Sequence, residues 1–73
     1  MILDLSLGEK VLLLRKRRGE LQSDLAESLN VSIGVVARLE RDESLPDSDL
    51  IIAICKHYDI SADWLLGIER RSE

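Results

Sequence analysis

Two groups of positively charged side chains in this 73-residue chain have the spacing of an anion-binding surface. The first is a block without an acidic residue, and the second is a pair of arginines at helical spacing, Arg38 and Arg41. The block consists of Lys10, Arg15, Lys16, Arg17 and Arg18. Guanidinium and ammonium groups bind anionic oxygens through charge-assisted hydrogen bonds. The chemistry these residues indicate is therefore anion binding, and not covalent catalysis.

The residue combinations of an active site are missing from the sequence. His57, the only histidine, follows Lys56 on the polar side of a predicted helix, so we interpret it as a solvated side chain. Cys55 falls at a core position, where a small buried hydrophobe is the usual occupant. Neither a glycine-rich phosphate loop nor a metal-ligand spacing is present. We predict that the chain is not an enzyme and uses no metal, no cofactor and no small-molecule ligand.

The elements that position the second cationic site lie between Gln22 and Arg41. Leu25, Ala26 and Leu29 form the apolar stripe of a short helix, and Asn30 is suited to the left-handed conformation that ends many helices. Ser32 can cap a second helix. Two helices joined this closely cross steeply, so the second presents an exposed face. The pattern predicts a helix-turn-helix.

Several short motifs occur along the chain in a fixed order. QSDLA begins at Gln22, NVS at Asn30, RLE at Arg38 and ISADWLLG at Ile60, and Pro46 stands between the last two. Together they resemble the Cro/repressor-type helix-turn-helix family, also called the xenobiotic response element family. The match runs without a gap from about residue 7 to residue 67. It implies an all-α, compact five-helix repressor-like DNA-binding domain.

In that family the exposed face of the third helix reads the edges of DNA bases. The resemblance therefore implies base contacts from Ile33, Gly34, Val35, Ala37 and Arg38. Only Arg38 can donate hydrogen bonds, and bidentate reading of guanine by arginine is the commonest contact of this kind. Ile33 and Val35 could meet thymine methyl groups, and Gly34 allows the backbone to approach DNA. The same apolar face could instead bind protein.

Phosphate contacts are expected at both sides of this helix. The resemblance implies one from Gln22, at the start of the second helix, where the helix N-terminus also favours anions. Further phosphate candidates are Arg17, Arg18, Arg41 and Ser44; taken singly, each also fits a solvated surface residue. The resemblance further implies a partly buried structural ion pair between Arg15 and Glu40, which would fix the angle of the projecting third helix.

The sequence departs from the family pattern at two places. Family members place an apolar residue and then Ser or Thr before the Gln, whereas this chain has Glu20-Leu21 and lacks the capping hydroxyl. The second helix is therefore expected to start early or to be poorly capped. Asp42 stands where family members have Gly, at a helix end that favours positive φ. Asp can adopt that conformation at some cost.

We predict three segments: an N-terminal arm over residues 1–6, a helix-turn-helix domain over residues 7–67, and a C-terminal tail over residues 68–73. Ser6 and Glu9 have the spacing of a capping box, so the first helix should begin near Leu7. Leu12 and Leu13 lie beside its inward stripe and are interpreted as part of a broad buried face. The alternative is a dimer contact.

The overall charge is −4, which is unusual for a chain that binds nucleic acid. Because the cations cluster near the first helix while acidic residues dominate the second half, the local field can still favour DNA. No apolar run approaches the roughly 20 residues that span a bilayer, so no membrane association is expected. A single cysteine fits a reducing cytosol. We expect a cytoplasmic, nucleoid-associated protein of bacterial or phage origin.

The predicted function is that of a sequence-specific DNA-binding transcriptional regulator, with repression as the expected activity. Two copies would bind double-stranded DNA as a homodimer, each placing its third helix in the major groove. Trp64 and Ile68 are the candidate dimer contacts, although core packing also explains Trp64. The alternative function is a protein–protein interaction module, such as an antirepressor or assembly factor, with weak or no DNA binding.

Overall fold

The computed structural model describes residues 5–68, and every regular element in this range is a helix. The helices are α1 (Leu7–Arg17), α2 (Gln22–Leu29), α3 (Ile33–Glu40), α4 (Ser48–Tyr58) and α5 (Ala62–Leu66). The predicted all-α, five-helix architecture is confirmed. The segment boundaries at residues 6 and 68 stay predictions, because residues 1–4 and 69–73 lie outside the described part of the chain.

Four helices begin at a residue whose side-chain oxygen accepts a hydrogen bond from the main-chain N–H three positions later. These residues are Ser6, Ser32, Asp47 and Ser61. The exception is α2, whose N-cap is Leu21 and therefore has no side-chain oxygen. Asp24 partly compensates, because its Oδ2 accepts a hydrogen bond of 2.9 Å from the main-chain N–H of Leu21. The missing hydroxyl thus leaves the start of α2 in place at Gln22.

The turn between α2 and α3 is tight because Asn30 adopts the left-handed conformation, with φ of 60°. The next residue, Val31, donates its N–H to the carbonyl oxygen of Ala26 at 2.9 Å and packs against the core. Ser32 then returns to extended backbone and caps α3. This local geometry fixes the angle between the two helices.

The core is aliphatic except for Tyr58 and is supplied by all five helices. Its fully buried members are Leu25, Leu39, Ile54, Leu65, Val11 and Val36. Helix α1 contributes a narrower face than predicted, because Leu13 is 40% exposed while Leu12 is half-buried. The interpretation of a broad buried face was therefore wrong for Leu13. Helix α1 packs against α3 and α5, and its stripe centred on Val11 makes this contact while Leu13 points away from it.

The start of α1 lies directly against the end of α3. Asp42, with φ of 59°, directs its carboxylate to α1: Oδ2 accepts from Ser6 Oγ at 2.6 Å, and Oδ1 accepts from the Gly8 N–H at 2.9 Å. Gly8 is buried, and a Cβ atom there would lie 2.8 Å from the carbonyl oxygen of Glu40. The Asp at position 42 therefore adopts the positive φ expected there and also binds a helix N-terminus, which glycine could not do.

Within residues 5–68 no helix is long and apolar enough to cross a membrane. The same residues bring together no group of three or more His, Cys, Asp or Glu side chains that could hold a metal ion. Every buried side-chain nitrogen and oxygen in this part of the chain has a hydrogen-bond partner. The polar groups of the interior are thus matched to one another.

Candidate nucleic-acid interface

Helix α3 has one face in the core and one face in solvent. Val36, Leu39 and Glu40 are buried, whereas Ile33 is 51% exposed. The residues expected to read bases fall on the open side or at its edge: Ile33, Gly34 and Arg38 are exposed, and Val35 and Ala37 are half-buried. The open face therefore presents methyl groups, one glycine and one guanidinium group to a neighbouring molecule.

Arg38 is the hydrogen-bond donor of this face. Its Nη1 atom lies over Gly34, 3.5 Å from the point that a Cβ at that position would occupy. A Cβ at Gly34 would be in ordinary van der Waals contact with this guanidinium group, which lies along the helix. A group with several donors in a planar fork suits the N7 and O6 acceptors of guanine.

Behind this face, Arg15 of α1 and Glu40 of α3 form a buried ion pair. Arg15 Nε lies 2.6 Å from Glu40 Oε2, and Nη2 lies 3.1 Å from Oε1, so the contact is bidentate. The two side chains are only 9% and 4% exposed. The hydrogen bonds to Glu40 hold the pKa of Arg15 above its ordinary value despite its burial. The pair fastens α3 to α1 at two points.

Gln22 belongs to the same group of contacts. Its Nε2 atom donates to Glu40 Oε1 at 3.0 Å, and its side chain is half-buried at the first position of α2. A carboxamide nitrogen carries two hydrogens, and only one is required for the contact with Glu40. The second hydrogen is left for another acceptor. The expected phosphate contact is therefore compatible with the internal one.

A second polar cluster joins the α1–α2 turn to the end of α4. Glu20 Oε2 lies 2.7 Å from His57 Nε2, and Glu20 Oε1 accepts from the Tyr58 hydroxyl at 2.6 Å. Arg18 completes the cluster: its Nη1 donates to the His57 carbonyl oxygen at 2.9 Å, and its guanidinium lies 4.9 Å from the centre of the Tyr58 ring. Burial and the contact with Glu20 raise the pKa of Tyr58, so its hydroxyl keeps the donated proton.

Sequence reasoning missed this cluster. The interpretation of His57 as a solvated side chain was wrong, since the side chain is 21% exposed and contacts Glu20. The one signal was the unusual Glu20 in front of Leu21. No spacing rule links it to His57 and Tyr58, because the residues are 37 and 38 positions apart and meet only after α4 has packed.

The cluster predicts a specific acid sensitivity. Burial opposes ionisation of Glu20, but the hydrogen bonds from Tyr58 and His57 hold the pKa of its carboxyl below the ordinary value. Because the pKa is lower in the folded chain than in the unfolded chain, the stabilisation is present at neutral pH and is lost as the pH falls through the folded value. The free energy of unfolding should thus be higher for wild type than for Glu20→Gln. This difference should be largest near pH ~7 and shrink toward pH ~3.

Urea unfolding followed by circular dichroism over this pH range measures that difference. Glu27→Gln, at an exposed position of α2, is the matched control for removal of one carboxylate. If both variants showed the same pH dependence, the carboxylate of Glu20 would not be held by His57 and Tyr58.

The proposed phosphate contacts occupy different environments. Arg17 and Ser44 are exposed. Arg41 is exposed and forms an ion pair with Glu43, with Nε 2.9 Å from Oε2. Arg18 is engaged with the end of α4, so it would have to leave that contact to reach DNA. Arg17, the last residue of α1, is therefore better placed for an external anion than Arg18, which follows the helix.

The two residues proposed for a dimer contact also differ. Trp64 is half-buried and packs against the core, and Lys10 covers it: Nζ lies 5.0 Å from the ring centre and donates to the Trp64 carbonyl oxygen at 2.6 Å. Ile68 is 59% exposed. Core packing thus accounts for much of Trp64, while Ile68 remains available at the surface.

The order of the helices, the tight turn at Asn30 and the open face of α3 define a helix-turn-helix domain. The family model described as "Helix-turn-helix" matches residues 12–65. The chain therefore belongs to the Cro/repressor-type helix-turn-helix family that its sequence predicted. This is a class of transcriptional regulators and not of enzymes.

Two relatives from Bacillus subtilis (strain 168) are similar to the chain. One is the HTH-type transcriptional regulator ImmR, 33% identical over 69 residues, which are 94% of this chain and 54% of ImmR. The chain thus spans about half the length of that relative. The other is the uncharacterized HTH-type transcriptional regulator YazB, 30% identical over 63 residues, which are 86% of this chain and 91% of YazB.

Among solved structures, the chain is similar to the P22 c2 repressor protein crystallised in complex with a synthetic operator. The sequences are 27% identical and the TM-score is 0.84, with 90% of this chain and 100% of the repressor chain covered. The predicted repressor-like fold is thereby confirmed.

Proposed function

We propose that this chain is a sequence-specific DNA-binding transcriptional regulator that binds an operator with α3 in the major groove. The observation that carries the proposal is the division of α3 into a face locked in the core and a face open to solvent with Arg38 as its donor. The similar P22 c2 repressor, crystallised with its synthetic operator, supports the same use of the fold.

The proposed working unit is a homodimer that represses by occupying promoter DNA. Two copies related by a twofold axis would place their α3 helices in successive major grooves, about 34 Å apart. Ile68 is the exposed apolar residue that we assign to the dimer contact, and the half-buried Trp64 is the second residue proposed for it. Bound across two half-sites, the dimer would exclude polymerase sterically.

The negative net charge does not oppose this proposal, because several carboxylates near the interface already have partners. Glu40 is paired with Arg15, Asp42 binds the N-terminus of α1, and Glu43 is paired with Arg41. The negative charge of these three carboxylates is partly offset by their immediate partners. Because the same pairing offsets the charge of Arg41, the field at the open face of α3 depends on the other exposed cations there, such as Arg38, more than on the total charge.

A salt titration tests the proposal against its alternative. Selection of bound sites from a random duplex pool at low salt would supply the probe. Neutralisation of about 6 phosphates predicts a loss of affinity of about 10³-fold between ~50 and ~200 mM salt. Nearly constant affinity across this range would contradict a phosphate-contacting interface.

Substitution of Arg38 tests the orientation of α3. Arg38→Ala should relax selection at one base pair, with a loss of about 1–3 kcal/mol on the preferred site. Arg17→Ala is the matched control, because an arginine that contacts only phosphate should weaken binding to all duplexes equally. An unchanged site preference in Arg38→Ala would show that another face of the domain contacts the bases.

A protein–protein interaction module is the second candidate function, and exposed apolar surface favours it. Ile33 is 51% exposed, and Leu45 in the α3–α4 loop is 92% exposed. Between that loop and the α2–α3 turn lies a groove of about 440 Å³ whose apolar lining includes Val35, Leu45 and Leu50. A partner bound through this surface would give the weak salt dependence that the titration distinguishes.

A further inference from the structure

Glu20 connects three parts of the fold through different atoms. Its carboxylate contacts His57 and Tyr58 at the end of α4, at 2.7 and 2.6 Å. Its main-chain carbonyl oxygen accepts from Arg15 Nη1 at 2.7 Å. The carboxylate-bearing side chain is only 15% exposed. The turn that leads into α2 is therefore held from both sides by a single residue.

Beyond Arg15 the contacts continue to the DNA-facing end of α2. Arg15 binds Glu40 at 2.6 and 3.1 Å, and Glu40 Oε1 accepts from Gln22 Nε2 at 3.0 Å. A continuous path of hydrogen bonds, joined by the covalent structure of Glu20, thus runs from the last turn of α4 through Glu20, Arg15 and Glu40 to Gln22. Buried or half-buried charged bonds of this kind are directional and hold geometry well.

Helix α2 has special need of such support. Its N-cap, Leu21, lacks the side-chain oxygen that the other four helices have, so the local chain alone fixes this end weakly. Glu20 stands immediately before it. The structure therefore supplies through contacts distant in sequence the rigidity that the missing capping group would have given.

We propose that Glu20 is a positioning residue for the DNA interface: held by His57 and Tyr58, it fixes the turn that places Gln22 against a phosphate. This inference rests on the proposed function and adds to it a residue that does not touch DNA. Removal of both side-chain oxygens of Glu20, as in Glu20→Ala, releases the turn from α4 and leaves the Gln22 side chain free to sample other orientations. The phosphate contact is then weakened without any change to the reading face of α3.

The direction in which DNA affinity changes when Glu20 is replaced distinguishes a positioning role from a purely electrostatic one. Removing a carboxylate from a DNA-binding domain reduces repulsion of phosphates and should strengthen binding slightly. Positioning predicts the opposite for Glu20→Ala, a loss of about three- to tenfold in affinity. Glu27→Ala removes the same charge from an exposed site on α2 and should bind as well as wild type or better.

A double-mutant cycle gives the decisive measurement. Wild type, Glu20→Ala, Gln22→Ala and the double variant are titrated at low salt with a selected duplex of about 20 base pairs, enough for two half-sites. The measurements are made at a temperature where circular dichroism shows every variant folded. Gln22→Ala should cost little once Glu20 is already Ala. Additive losses would overturn the positioning role, because a purely structural residue has no coupling to Gln22.

NMR spectroscopy of the free protein tests the link between Glu20 and Gln22 without DNA. In Glu20→Ala, the side-chain amide resonances of Gln22 should shift toward those of a solvated glutamine, whereas Glu27→Ala should leave them unmoved. Unmoved resonances in Glu20→Ala would overturn the inference. If wild type bound no duplex at low salt while these resonances shifted, the proposed function would fall and the link between Glu20 and Gln22 would stand.

A milder variant covers the case in which Glu20→Ala does not fold. Glu20→Gln keeps an oxygen that can accept from the Tyr58 hydroxyl, and Tyr58→Phe removes that bond while keeping the ring in the core. Positioning predicts that Glu20→Gln retains most of the coupling with Gln22. Equal loss of coupling in Glu20→Gln and Tyr58→Phe would contradict the assigned geometry.

Discussion

Gly8→Ala is expected to lower the free energy of unfolding by about 2–3 kcal/mol, although alanine favours helices more than glycine does. The reason is the approach of α1 to the end of α3. A Cβ at position 8 would press against the carbonyl oxygen of Leu39, and would lie 2.8 Å from that of Glu40 and 2.7 Å from Asp42 Oδ1. Two of these contacts are with backbone, so a side-chain rotation cannot relieve them.

Thermal unfolding followed by circular dichroism measures this effect, and a loss of this size should lower Tm by about 10–20 °C in a domain this small. Gly34→Ala is the matched control. It is the other glycine inside a helix, and a Cβ there meets only the flexible Arg38 side chain at 3.5 Å and Ser32 Oγ at 3.8 Å. Equal melting temperatures for the two variants would mean that α1 does not lie this close to α3.

Glu40→Ala is expected to destabilise the protein by about 3–5 kcal/mol, because it leaves the guanidinium of Arg15 buried without a carboxylate. Arg15 would keep only its bond to the Glu20 carbonyl oxygen. Gln22 would lose its partner as well. Since α1 and α3 are fastened here, the loss should appear as global unfolding in urea and not as local fraying.

The chain contains a well-matched control for this prediction. Arg41 and Glu43 form an ion pair of 2.9 Å whose side chains are 61% and 52% exposed. Water screens an exposed pair, so its contribution to stability is small and Glu43→Ala should be close to wild type. Comparable losses in Glu40→Ala and Glu43→Ala would show that burial of the first pair does not determine its contribution.

A double replacement separates the ion pair from the packing around it. Arg15→Met combined with Glu40→Leu removes both charges and keeps apolar volume, which often restores stability lost with a single partner. We expect this variant to be more stable than Glu40→Ala. It should still bind DNA poorly, because Gln22 would no longer have the carboxylate that orients it.

The fold could be predicted from the sequence because its determinants are local. The capping box of Ser6 and Glu9, the left-handed Asn30 and the cap at Ser32 each depend on residues within a few positions of one another. The stripe of Leu25, Ala26 and Leu29 follows from helical periodicity. Such features are present in the chain before it folds, so reading them requires no knowledge of long-range contacts.

The polar network could be predicted only where the resemblance indicated it. The expected pairing of Arg15 with Glu40 corresponds to a contact seen in the structure, but residue spacing alone left both as ordinary surface charges. The cluster of Glu20, His57 and Tyr58 was missed entirely, because nothing local distinguishes a half-buried histidine from a solvated one. Leu13 was wrongly assigned to the core because the apolar character of a residue does not show whether a neighbouring helix covers it.

The contact of Asp42 with the first turn of α1 sets a limit on how far the chain can be shortened from its N-terminal end. Ser6 supplies one oxygen to cap α1 and also donates to Asp42, so it belongs to the folded unit even though it precedes the helix. A truncated protein that begins at Leu7 would lack both bonds and would place a charged amino terminus beside the helix dipole, whose positive end disfavours it. The minimal domain for crystallisation or fusion should therefore begin at or before residue 6.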